Sequence, residues 1–146
     1  MRDELGIEMA TITAKSHLGR MYKWGGDDPS GFDCSGLVVE ILQSAGILPN
    51  KGDWSANSLY HRFISCNQEV AWTREGILMF VMDGELKRAI HVEYCINDRF
   101  TIGASGGDSK VLSIEDALDR NAFVKIRPIR VGTYLKFADP FEVINI

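Results

Sequence analysis

Hydrophobic residues change their spacing part-way along this 146-residue chain, and that change limits the fold more than any other feature. Up to about Phe63 they recur every three or four positions, as a helix buried on one face requires. Beyond Gly76 they run continuously or alternate, as strands require. In residues 3–17 Leu5, Ile7, Met9, Ala10, Ile12 and Ala14 share a loose helical face, with Gly19 as the stop. In residues 34–45 Leu37, Val38, Ile41, Leu42 and Ala45 do so more strictly, followed by Gly46 as a cap and Pro49 beyond it. Residues 55–63 predict a shorter helix. In the second half, residues 76–82 predict a buried strand, and 90–96 and 100–104 a hairpin across Asn97-Asp98. Ser113 with Asp116 resembles a capping box for a short helix through Leu118. Residues 122–129 predict another strand, and the tail 134–146 an edge strand. Helices first and antiparallel strands second make an α+β fold, with a helix packed on one face of the sheet.

The length suits one domain, 1–146, with a hydrophobic core of its own. Its 45% hydrophobic and 25% charged content is that of a soluble globular protein. A formal net charge of −4 argues against nucleic acid and anionic membranes as partners. No apolar run approaches the roughly 20 residues that span a bilayer. Met1-Arg2-Asp3-Glu4-Leu5-Gly6 lacks the cationic start and apolar stretch of a secretory signal, so the expectation is synthesis in the cytoplasm, with release by lysis, carriage in a phage virion, or a cytoplasmic role in recycling wall fragments. Cys34, Cys66 and Cys95 are odd in number and widely spaced, which makes neither a disulfide framework nor a zinc site.

Cys34 stands at the first turn of the most apolar predicted helix, behind a loop (22–32) dense in Gly, Pro and Asp. A helix N-terminus favours a thiolate, and its free N–H groups suit an oxyanion. A buried structural cysteine fits the same spacing, and spacing alone leaves the two readings level. A base for the thiol must be a histidine. His17 and His61 fall in helices predicted to be exposed or half-exposed. His91 opens a strand after the loop 83–88, a rigid position from which to face a helix terminus, and is the best candidate of the three. Cys66 and Cys95 have no helix start or basic neighbour to activate them and are expected to be inert. Residues 103–109 are Gly-rich but lack the Lys-Ser/Thr ending of a phosphate loop, which leaves them as a rim of the cleft. Trp24, Trp54 and Trp72 are expected in the core or the cleft wall.

Gly31-Phe32-Asp33-Cys34-Ser35-Gly36-Leu37-Val38, preceded by Tyr22-Lys23-Trp24-Gly25-Gly26, closely resembles the nucleophile motif of the NlpC-type papain-like cysteine peptidases of bacterial cell walls. His91 to Asp98 resembles their histidine strand and turn, and Glu75 to Phe80 the strand before it, so the resemblance runs from about Tyr22 to about Gly107. It implies a papain-like fold with Cys34 as nucleophile and His91 as base. It also implies that Tyr22 faces the cysteine and positions the carbonyl, while Asp33 and Ser35 hold the substrate segment before the cut. Both of these flanking residues also suit helix capping. The family's third polar residue, which orients the base, falls here on Gly103, which has no side chain. That leaves a backbone carbonyl, a water, Glu93 or Ser105 to fix the imidazole. Glu93 stands where the family commonly has a small residue, and Ile77 where it commonly has an acid.

The implied activity is hydrolysis of an amide bond in peptidoglycan stem peptides, of the D-glutamyl–diamino acid type, through a thioester acyl-enzyme. No metal or cofactor is expected. The expected partners are peptidoglycan peptides or muropeptides, with phage virion or tail proteins as carriers. The same framework also suits another amidase or acyltransferase, or a degenerate wall-binding or tail module.

Overall fold

A computed structural model describes residues 1–28, 31–50, 52, 54–107 and 110–142. Asp3 caps the first helix, α1 (Glu4–Ser16), its carboxylate accepting from the Gly6 N–H at 2.8 Å. Ile7, Ala10 and Ala14 bury one face of α1, which ends at His17 ahead of a left-handed Gly19 (φ +87°). A minimal hairpin follows, β1 (Asp27–Asp28) with β2 (Gly31–Phe32). It leads directly into α2 (Cys34–Ser44), in which Leu37, Val38, Ile41 and Leu42 are fully buried. At roughly 1.5–3 kcal/mol for each side chain removed from water, this face makes α2 the centre of the core. The left-handed Gly46 (φ +75°) lies just past its end, where the sequence places a cap. Next comes α3 (Ala56–Ser65), opened by a reciprocal capping box between Ser55 and Ser58.

The remaining elements are β3 (Glu69–Val70), β4 (Leu78–Met82), β5 (Ala89–Cys95), β6 (Phe100–Ser105), α4 (Ile114–Arg120), β7 (Phe123–Pro128) and β8 (Leu135–Ala138). The strands β3 to β8 form a six-stranded sheet in the order β3-β8-β4-β5-β6-β7, every pair antiparallel. All five residues of β4 are buried. Leu78, Phe80 and Met82 face the helices, whereas Met79 and Val81 pack with Leu135 on the opposite face. The helix α2 lies against β5 and β6, the two strands of the predicted hairpin. At its turn Asn97 Oδ1 accepts from the N–H groups of Arg99 and Phe100, both at 2.8 Å. The α+β architecture is thus the expected one.

Four details differ from the sequence reading. The tail strand β8 is not at the edge: it pairs with β4 on one side and with the two-residue β3 on the other. The short β3 has no apolar pattern of its own, and its partner is nearly 70 residues away in the chain. His17 is buried, 7% exposed, edge-on to Phe32 at 4.8 Å between ring centroids. Burial pushes its imidazole below the ordinary value, outweighing the attraction of Glu40. Trp72 is exposed rather than packed in the core, and it lines no part of the cleft. The Asp139 carboxylate, fully buried, binds Arg2 Nε at 2.6 Å and Arg74 at 3.6 Å, which ties the N-terminal segment to the end of β8.

Candidate active site

Cys34 is the first residue of α2, and the backbone around it is fixed mainly by close approach. Asp33 caps the helix: its Oδ1 accepts from the Gly36 N–H at 2.7 Å and the Ser35 hydroxyl at 3.3 Å, its Oδ2 from the Gly25 N–H at 3.2 Å. The Gly26 carbonyl accepts from the Asp33 N–H at 3.0 Å. A Cβ on Gly36 would collide with that same carbonyl. The glycines at 26 and 36 therefore let the loop close onto the helix start, which sets the cysteine at the first turn with helical N–H groups beside it.

His91, on β5, meets this helix end from the sheet. Its Nε2 lies 2.5 Å from Glu93 Oε2, and Cys34 stands close enough to interact with the same imidazole, with Nδ1 the nitrogen left for the sulfur. Burial alone would push the imidazole down; hydrogen bonds and charge interactions with Cys34 and Glu93 outweigh it and raise the histidine to about 9. Glu93 is 2% exposed. Burial favours its neutral form, but His91, the Thr101 hydroxyl (2.7 Å to Oε1) and Arg130 (3.5 Å to Oε2) together hold it below the usual carboxylate range. Arg127 adds a guanidinium at 3.9 Å.

Cys34 and His91 open onto a cleft of about 710 Å³. Tyr22, Trp24 and Trp54 contribute to its walls, together with the start of α3, residues 88–91 and residues 104–107. Asn57 Oδ1 accepts from the Ala89 N–H at 3.0 Å and so locks the α3 end of the cleft to the histidine strand. Among the described residues no group of three or more His, Cys, Asp or Glu side chains is placed to hold a metal ion. Among the same residues no helix is long and apolar enough to cross a membrane.

The NlpC/P60 family model matches residues 19–127, well over half of the chain and the whole of this cleft. The chain belongs to the NlpC/P60 family. It is 43% identical over 60 residues to a probable endopeptidase of Mycobacterium bovis, covering 40% of this chain and 14% of that one. It is 40% identical over 55 residues to the probable peptidoglycan endopeptidase LytE of Bacillus subtilis, covering 36% and 16%. The matched segments thus span about a seventh of the length of these relatives. Among solved structures, the P60 domain of an antigen from M. avium subspecies paratuberculosis superposes with a TM-score of 0.68 at 22% identity, over 95% of this chain and 97% of that one. RipD of M. tuberculosis, described as a non-catalytic NlpC/p60 protein adapted to peptidoglycan binding, gives 0.62 at 17%, over 91% and 95%.

Within this NlpC/P60 fold the structure brings together Cys34, His91, Tyr22, Asp33 and Ser35, all lining one cleft. Tyr22 is buried, and its ring covers Gly107 so closely that any side chain there would displace it. Asp33 and Ser35 line the cleft; Asp33 caps α2, and Ser35, in its first turn, donates its hydroxyl to that cap. Of the two side chains expected to orient the base, Glu93 contacts His91; Ser105 lines the cleft with its buried hydroxyl unpartnered. Asp108 and Ser109 of the expected rim lie outside the described residues; 105–107 do line the cleft. His61 is exposed and does not line the cleft. Cys95 is fully buried, and burial, with Glu93 nearby, pushes its thiol up to about 12. Sequence reasoning missed Thr101, Arg127, Arg130 and Asn57, which act through cross-strand or loop contacts. No local signal marks them; the His-x-Glu spacing on a strand, which puts both side chains on one face, points to Glu93 alone.

Proposed function

We propose that the chain is a cysteine endopeptidase that hydrolyses an amide bond in peptidoglycan stem peptides, of the kind joining D-glutamate to a diamino acid. The observation that carries this reading is that Cys34, at a helix start, and His91 line one cleft close enough to interact, with Glu93 hydrogen-bonded to the far nitrogen of the imidazole. A thiol at a helix start, a histidine beside it and an acid behind the histidine are the parts of nucleophilic acyl transfer. Family membership and the endopeptidase relatives point to the same chemistry.

In this scheme the Cys34 proton resides on His91, and the sulfur attacks the amide carbonyl carbon. The carbonyl oxygen takes the negative charge near the N–H groups of the first turn of α2, where helical donors lack internal partners. His91 then gives its proton to the departing amine, the C–N bond breaks, and a thioester to Cys34 remains. Water enters, loses a proton to His91 and attacks the thioester, releasing the carboxylic acid and returning the proton to the Cys34–His91 pair. Tyr22 positions the carbonyl from the wall above Cys34, and Asp33 and Ser35 hold the substrate segment before the cut. The Asp33 carboxylate, which lines the cleft, suits a free amine there.

Incubation with purified muropeptides, wild type against Cys34→Ala, with products read by mass, tests the reading. Cleavage of one amide by the wild type and at least a ~10³-fold loss in the variant are expected. Binding of muropeptides without any Cys34-dependent cleavage would reject the peptidase and leave a wall-binding module.

A further inference from the structure

We propose that Glu93 is the positioning residue of the His91 base, acting from the histidine's own strand in space that Gly103 keeps open on the next strand. The inference rests on the Cys34–His91 reading above and specifies what holds that pair.

Positions 91 and 93 share one face of β5, because side chains alternate along a strand. In β5 and β6, Tyr94 pairs with Ile102 and Cys95 with Thr101, and this register carried one step further sets Glu93 opposite Gly103. The glycine is a requirement of the contact. A Cβ built on Gly103 would stand 2.5 Å from Glu93 Cγ, 2.6 Å from its Cδ and 3.0 Å from Oε2. A side chain at 103 and the carboxylate in its present place therefore exclude each other. The strand across from the base is empty so that the base's own strand can supply the partner.

The polar contacts of the carboxylate are matched to that task. Oε1 accepts from Thr101, Oε2 lies against His91 Nε2, and Arg130 and Arg127 approach Oε2 at 3.5 and 3.9 Å. A buried acid without such partners would take up a proton and lose its grip as an acceptor. With them it stays ionised. An ionised Glu93 requires the proton of His91 on Nε2, which fixes the tautomer and turns Nδ1 to Cys34. It also binds the imidazolium more strongly than a neutral partner would, in keeping with the raised His91 titration. The titratable and charged groups that face His91 are thus Cys34 from α2 and Glu93 from β5, with Arg127 and Arg130 behind the carboxylate.

The test is an NMR titration of the His91 imidazole together with the pH profile of Cys34 alkylation, neither of which needs a substrate. Both are run in a Cys66→Ser background, since Cys66 is exposed and Cys95 buried. In Glu93→Gln, which keeps shape and an acceptor but removes the charge, the His91 midpoint is expected to fall by about one pH unit or more, a tenfold change in proton affinity. Gly103→Ala should shift it the same way by displacing the carboxylate, and should also lower Tm. The double variant Glu93→Ala with Gly103→Ala should regain part of that Tm while leaving the midpoint low, because the clash is relieved but the anion is gone. A His91 midpoint and an alkylation profile unchanged in both Glu93→Gln and Gly103→Ala would overturn the proposal, and recovery of the midpoint in the double variant would do the same. Should wild type cleave no muropeptide, a shift in Glu93→Gln still upholds the positioning role, so the two readings fail separately.

Discussion

The two halves of the site are held by different physics. At Cys34, the helix start is fixed by backbone: the Gly26 carbonyl, the absent side chain of Gly36 and the Asp33 cap, all within a dozen residues of the thiol. On the sheet side, His91 is fixed by charge: a carboxylate 2% exposed, a hydroxyl from β6 and two arginines at and beyond the end of β7. The first arrangement is local and mainly steric. The second is assembled across three strands and depends on protonation. The cysteine is presented by geometry, and the histidine is tuned by its surroundings.

The contrast can be broken from either side. The largest effect expected is from His91→Ala, which removes the base: amide cleavage should fall about 10²–10⁴-fold while the fold persists, as circular dichroism would report. On the steric side, Gly36→Ala forces the Gly26 carbonyl away from the helix start, and urea unfolding should register a loss of about 1–3 kcal/mol. Asp33→Ala removes the cap for about 1 kcal/mol, whereas Asp33→Asn, which also caps well, should keep most of that stability and lose the charge toward substrate. On the charged side, stability itself should follow pH. Folding raises the titration of His91 from 6.5 to about 9, so its stabilising contribution is full below pH 6.5 and lost as pH rises through about 9. Glu93 is depressed on folding, so its contribution is present above the ordinary carboxylate range and lost as pH falls through the lowered value. Denaturation midpoints across this range should decline at the alkaline end in wild type and decline less in His91→Ala. The smallest effect is expected from Arg130→Met. Its guanidinium is one-third exposed and 3.5 Å from Glu93, so the alkaline limb should move down by a few tenths of a pH unit, and added salt should produce less change than in wild type.

The same division decides what was legible beforehand. The cap at Asp33, the glycines around Cys34 and the apolar face of α2 lie within one short segment, and each constrains the next; the structure around Cys34 therefore reads directly from the sequence. His91 was identifiable by elimination and by strand position. Glu93 was one of several open choices, because its role depends on Gly103 lying opposite, a matter of register that no single segment encodes. Thr101, Arg127 and Arg130 were not singled out, since a strand residue's partner across the sheet is invisible from its own neighbours. The position of β8 in the sheet interior has the same cause: its apolar pattern marks a strand, but only the assembled sheet shows that β3 covers it. His17 was misjudged because a histidine at a helix end takes its burial from Phe32, which belongs to a different element.

The central claim is that Cys34 is a nucleophile activated by His91, and its most direct measurement is the rate of Cys34 alkylation by iodoacetamide against pH. The Cys66→Ser protein serves as the reference, and the same measurement is made with His91→Ala. Fast labelling of Cys34 through the neutral range, about tenfold or more slower at pH 7 without His91, is the expected result. Labelling of Cys34 no faster than that of the exposed Cys66 in the unsubstituted protein, and unaltered by His91→Ala, would contradict it.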